Sequence, residues 1–103
     1  IQVCRNSEGG GDDVTDEELV AAMRLLAETE GIFTETAGGV TVGVTKKLVE
    51  QGRIAPDDLT VICVTGNGLK TQEAIQDSVN APLRIDSKFS SFQEVFAEQM
   101  KEA

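Results

Sequence analysis

The chain has 103 residues and a net charge of −9, a balance that argues against nucleic acid or anionic lipid as a partner, because phosphate binding needs clustered Lys and Arg. It contains no histidine, which removes Ser–His and Cys–His nucleophile pairs and most zinc sites. No apolar run is long enough to cross a bilayer, and the front lacks the basic, apolar, small-residue order of a signal peptide. The length predicts at most one domain, burying roughly two-thirds of its surface. With four Phe and neither Trp nor Tyr, the apolar mass comes from Val, Ile, Leu and Ala, as expected of an α/β layer protein. Ile1 is not an initiator Met, so the chain reads as processed, excised or numbered from an internal point.

Residues 1–13 are polar and glycine-rich after a short apolar start at Ile1 and Val3, which reads as a frayed segment or strand end followed by a loop. A helix then begins at Thr15, whose spacing to Glu18 is that of a capping box, with Val14 and Leu19 placed for a hydrophobic staple. Leu19, Ala22, Met23, Leu26 and Ala27 recur at helical spacing, and Gly31 is placed to end the helix in a left-handed cap. Ile32 to Glu35 reads as one extended step.

A second helix is expected from Ala37 to Gln51, ending at Gly52. Its first half places Gly38, Gly39 and Gly43 among β-branched residues, all poor helix formers, so packing must override propensity. The small face of Gly39 and Gly43 suits close approach to a sheet or another backbone, in preference to a ligand at the helix N-terminus.

Pro56-Asp57-Asp58 predicts a turn. Leu59 to Val64 is a near-continuous β-branched run, the pattern of a parallel strand covered on both faces. It carries Cys63, read as a small buried hydrophobe; Cys4 and Cys63 make no disulfide framework. The strand runs into Thr65-Gly66-Asn67-Gly68, and in open α/β sheets ligands sit beyond the carboxyl end of such a strand. Lys70 and Thr71 do not complete a phosphate loop, because a Walker lysine directly follows the final glycine and here Leu69 intervenes. The Rossmann pattern fails too, with Thr71 at its third glycine position. Further on, Thr71–Ser78 reads as a short helix, Asn80-Ala81-Pro82 as a turn and Leu83-Arg84-Ile85 as a brief strand. A last helix is expected from Ser90 or Ser91, with Ser91 and Glu94 at capping-box spacing and Phe92, Val95, Phe96 and Met100 on one face.

The paired carboxylates Asp12-Asp13, Glu17-Glu18 and Asp57-Asp58 stand at helix starts or turns, where acids complement the helix dipole or solvate the surface. Glu35 stands apart, at a strand-to-helix junction, where a carboxylate can point into a site or into solvent.

Four segments occur in order: Thr15-Asp16-Glu17-Glu18 opening a helix; Glu30 to Gly39, with Phe33-Thr34-Glu35-Thr36-Ala37-Gly38-Gly39; Lys46-Lys47-Leu48-Val49-Glu50-Gln51-Gly52; and Val64-Thr65-Gly66-Asn67-Gly68-Leu69-Lys70. Together they resemble the C-terminal part of threonine synthases, pyridoxal-phosphate enzymes of the tryptophan-synthase-β structural type. The resemblance covers residues 14–75 and thins toward the tail. It implies that the Thr65 hydroxyl hydrogen-bonds the pyridine nitrogen of pyridoxal 5'-phosphate, with Gly66 and Asn67 shaping the loop beneath the ring. Glu35 and Thr36 are implied as a site wall, with Thr36 standing where the family usually has Pro.

The family's cofactor-binding lysine, its phosphate cup and its substrate-phosphate ligands all lie upstream of the matching region, and none of Lys46, Lys47, Lys70, Lys88 or Lys101 matches the lysine motif. The expectation is therefore an α/β, three-layer fragment: a short, mostly parallel sheet centred on Leu59–Val64 and flanked by helices, forming one domain with no catalytic residue and no metal site. Its activity would be a share in converting O-phosphohomoserine and water to threonine and phosphate. Its cofactor would be held only in the complete cytoplasmic enzyme, and its partner would be the rest of the parent polypeptide or, for the isolated fragment, a second copy. A free-standing small α/β interaction or regulatory domain, or a piece of a threonine or serine dehydratase, are the alternatives.

Overall fold

The computed structural model describes residues 2–79 and 82–102, without the side chains of residues 99, 100 and 102. The described elements are α1 (Gln2–Asn6), α2 (Asp16–Glu30), α3 (Thr36–Glu50), α4 (Glu73–Gln76) and α5 (Phe89–Glu102), with a 3₁₀ turn at Gly68–Lys70. The arrangement is open. Its radius of gyration is 19.0 Å, where a compact domain of this length has about 13 Å. It exposes 8366 Å², against about 5600 Å² for a compact chain of this mass, so the burial expected from length alone is not reached.

The ordered centre is the α2–α3 pair. Thr15 caps α2 as its spacing predicts: its hydroxyl accepts from the Glu18 N–H at 3.2 Å, and its own N–H donates to Glu18 Oε2 at 2.8 Å. Gly31 closes the helix at φ 68°, its N–H bonded to the Ala27 carbonyl. In α3, the hydroxyls of Thr41 and Thr45 bond the carbonyls one turn back, which satisfies the hydroxyls without favouring the helix, so packing against α2 must hold it. The glycine face of α3 meets α2 and not a sheet. A Cβ on Gly39 would stand 2.7 Å from Met23 Cγ and 3.0 Å from the Leu19 carbonyl oxygen, and one on Gly43 would stand 2.9 Å from Val14 Cγ1. Ala22, Leu26 and Val42 form the core, with Val64 packed against it.

One polar junction locks the two helices. Lys47 Nζ lies 2.8 Å from Glu18 Oε2 and donates to the Asp13 carbonyl at 2.9 Å. The Lys47 hydrogen bond, then that from the Thr15 backbone, holds the Glu18 carboxyl below its ordinary 4.5, while Glu18 holds the Lys47 ammonium above 10.5. The Glu18 contribution is thus present above its unfolded value and lost as pH falls through the lowered folded one. The Lys47 contribution is present below its unfolded value and lost as pH rises through the raised one. Lys47→Met should therefore flatten both the acid and the alkaline limbs of the stability–pH profile, as measured by urea unfolding; an unchanged profile would remove the junction from the account.

The expected three-layer α/β architecture is not found: among the described residues there is no strand, only an isolated antiparallel bridge between Thr34 and Asn67. Residues 59–65 form no regular element, and their backbone groups make no hydrogen bond among the described residues. Leu59 and Val61 are 96% and 81% exposed, and Cys63 is exposed, not buried. The reason is physical: a strand exists only through a ladder with a neighbour, and among the described residues none hydrogen-bonds to this run.

Other expectations fail in the same way. Gln2–Asn6 is a short helix where the sequence reads as a frayed segment or a strand end; Ile1 lies outside the described residues. Leu83-Arg84-Ile85 is exposed and irregular. Helix α5 begins at Phe89, so Ser91 lies inside it and accepts from the Asp86 N–H at 3.1 Å, in place of capping. Phe89, Phe92 and Phe96 stack along one face of α5 and are 73%, 46% and 52% exposed. The Met100 side chain and the turn at Asn80-Ala81 lie outside the described residues.

Candidate functional site

The five residues singled out by sequence come together where the loop after the extended segment crosses the N-terminus of α3. Gly66 turns the chain at φ 76°, a conformation open to glycine and strained for other residues. Its carbonyl accepts from the Glu35 N–H at 3.4 Å and from the buried Thr34 hydroxyl at 3.5 Å. The Gly68 N–H returns a bond to the Phe33 carbonyl at 3.0 Å. A Cβ on Gly68 would stand 2.5 Å from the Phe33 ring, and one on Gly66 would overlap the Glu35 carboxylate. Both glycines are thus fixed by close approach of the 33–35 segment, which the two-glycine spacing alone did not specify.

Asn67 builds the loop. Its side-chain oxygen accepts from the Leu69 N–H at 2.9 Å and starts the 3₁₀ turn. Thr36 contributes its backbone, donating to the Thr71 hydroxyl at 3.1 Å. Glu35 occupies the N-cap position of α3 but makes no side-chain cap; its carboxylate, with a 16% exposed side chain, instead pairs with Lys70 Nζ at 2.6 Å. Lys70 and Thr71, set aside in sequence because they fit no phosphate loop, are the anchors that tie this loop to α3. The signal for them was Asn67 two residues before Leu69, since an Asx turn there carries the chain back toward Glu35.

Thr65 differs from its neighbours. It is exposed, and its hydroxyl enters no hydrogen bond among the described residues. The loop therefore offers one unengaged hydroxyl on a backbone fixed immediately behind it. A hydroxyl can donate one hydrogen bond, for instance to an unprotonated ring nitrogen, without carrying charge. No group of His, Cys, Asp and Glu suited to a metal ion is found among the described residues. A groove of 420 Å³ between α2 and α3, rimmed by Arg24, Glu28, Lys46 and Glu50, contains none of these loop residues. Its rim charges pair along their own helices as Arg24–Glu28 and Lys46–Glu50. Among the described residues no helix is long and apolar enough to cross a membrane.

The chain is 38% identical over 93 residues to the threonine synthase of Methanocaldococcus jannaschii, covering 90% of this chain and 23% of that protein. It is 35% identical over 94 residues to that of Methanosarcina acetivorans, covering 91% and 23%. It is 41% identical over 70 residues to that of Bacillus sp. (strain ULM1), covering 68% and 20%. The chain thus spans less than a quarter of the length of these relatives. Residues 1–66 match the family model described as pyridoxal-phosphate dependent enzyme. That match runs from α1 through both packed helices to the turn at Gly66, and on it the chain belongs to the pyridoxal-phosphate dependent enzymes.

Proposed function

We propose that this chain is a C-terminal segment of a threonine synthase and supplies one wall of its cofactor site. The parent reaction would convert O-phosphohomoserine and water to threonine and phosphate in the cytoplasm. The observation that carries the reading is the free Thr65 hydroxyl, set directly before a turn that is hydrogen-bonded to Phe33, Thr34 and Glu35. Similarity to threonine synthases over most of the chain supports the same conclusion.

When bound, pyridoxal phosphate supplies an electron sink for the chemistry at the substrate's carbons. Thr65 would hold the pyridine nitrogen through its hydroxyl. A neutral hydroxyl shares a hydrogen bond but does not keep that nitrogen protonated as a carboxylate would, so the protein would select a milder sink. Gly66 and Asn67 would hold the loop under the ring, with the Asn67 amide serving the loop and not the ring. Glu35 and Thr36 would back the loop from the start of α3.

The lysine that carries the cofactor and the groups that bind both phosphates would come from polypeptide outside this chain. The isolated chain is then inactive and retains no cofactor.

The test is Thr65→Ala in the complete protein, beside Thr65→Ser. The alanine variant should lose about tenfold or more in turnover, roughly the worth of one hydrogen bond to a reacting system. Its melting temperature should stay close to the parent's, and the serine variant should recover most of the activity. Unchanged kinetics in Thr65→Ala would remove Thr65 from the site.

A further inference from the structure

The Glu35–Lys70 contact is not explained by helix capping, by the packing of α2 on α3, or by the proposed role of Thr65. Glu35 stands where a helix N-cap would bond the first turn, yet its carboxylate leaves that position and lies in the space a Gly66 side chain would fill. There it meets Lys70 Nζ at 2.6 Å. Because the Glu35 N–H also bonds the Gly66 carbonyl, residues 66–70 are held to Glu35 at both ends, by backbone at Gly66 and by the ammonium at Lys70.

Exposed ion pairs contribute little in general, and Lys70 is 65% exposed. The Glu35 side chain is not: at 16% exposure its carboxylate is largely withdrawn from water, and such a group left without its partner is penalised and moves to regain solvent. Moving it would empty the gap over Gly66 and free the turn. We propose that Lys70 is a positioning residue: by holding the Glu35 carboxylate over Gly66, it fixes the turn that presents the Thr65 hydroxyl to the cofactor. The inference rests on the reading of Thr65 above and extends it to a residue that touches neither cofactor nor substrate.

The test uses the complete protein with Lys70→Met, Lys70→Arg, Glu35→Gln and the Glu35→Gln/Lys70→Met double variant. Two quantities are read: hydrogen exchange at the Glu35 and Gly68 amides without cofactor, and the dissociation constant for added pyridoxal 5'-phosphate by fluorescence titration. Lys70→Met should speed exchange at both amides and weaken cofactor binding by about tenfold, the lower end of the loss seen when a group that orients a ligand is removed. Lys70→Arg should restore both, and the double variant should be no worse than Lys70→Met, since the two residues act as one unit. If Lys70→Met does not fold, Lys70→Gln takes its place.

Exchange that quickens while cofactor affinity holds would overturn the inference, as would no change in either. If Thr65→Ala leaves cofactor affinity untouched while Lys70→Met alters exchange, the Thr65 reading fails and the clamp stands as a structural element alone.

Discussion

Replacing Gly66 with alanine should disable the loop more thoroughly than any change to its side chains. Two effects act together. At φ 76° an L-residue is strained by about 1–2 kcal/mol, and the added Cβ would overlap the Glu35 carboxylate. The carboxylate is the far end of a flexible side chain and can swing away, but only by leaving Lys70. The turn then has neither its backbone conformation nor its ion pair, and Thr65 immediately before it is released. In the complete protein, Gly66→Ala should weaken pyridoxal phosphate binding by at least about tenfold, since ~1.4 kcal/mol corresponds to a factor of ten. The α2–α3 pair, which Gly66 touches only at the Glu35 cap position, should keep its helical circular dichroism. Cofactor binding at parental strength would show that the loop conformation does not matter to the site.

The second large effect belongs to Gly38. A Cβ there would overlap the Thr34 hydroxyl and stand 2.8 Å from both Thr34 Cβ and Cγ2. Rotating the threonine relieves only part of this, because its Cβ is fixed by the backbone and the residue is fully buried. Alanine improves helix propensity by up to about 1 kcal/mol over glycine, whereas forcing atoms into a packed site costs about 1–3 kcal/mol or more. Overlap this severe lies at the upper end, so Gly38→Ala should be net destabilising by about 2 kcal/mol in urea unfolding. A stabilised variant would mean that the bridge between Thr34 and Asn67 is loose enough to move aside.

These two positions also mark the boundary of what the sequence makes legible. The α2 helix could be read residue by residue because its cap, apolar repeat and terminating glycine are all local: Thr15, Glu18 and Gly31 do what their spacing requires. Helix α3 is legible despite its glycines, and of the two neighbours their small face suits, a sheet or another backbone, it is the backbone of α2 that Gly39 approaches. The strand at Leu59–Val64 could not be secured in the same way. Its residues state a preference, but a strand is completed by hydrogen bonds to another segment, and among the described residues none supplies them.

The site followed the same division. The turn at Thr65-Gly66-Asn67 was visible from its glycines, and Glu35 from its place at a junction. The roles of Lys70 and Thr71 are not legible in the same way, because they depend on contacts with Glu35 and Thr36 more than thirty positions away.

The proposal as a whole depends on what the Thr65 oxygen faces when the protein is loaded. The most direct measurement is the ¹⁵N resonance of the pyridine nitrogen in ¹⁵N-labelled pyridoxal phosphate bound to the complete protein, compared with the same signal in Thr65→Ala. The predicted result is an unprotonated, hydrogen-bonded nitrogen whose resonance moves when the hydroxyl is removed. A protonated nitrogen, or a resonance identical in the two proteins, would contradict it.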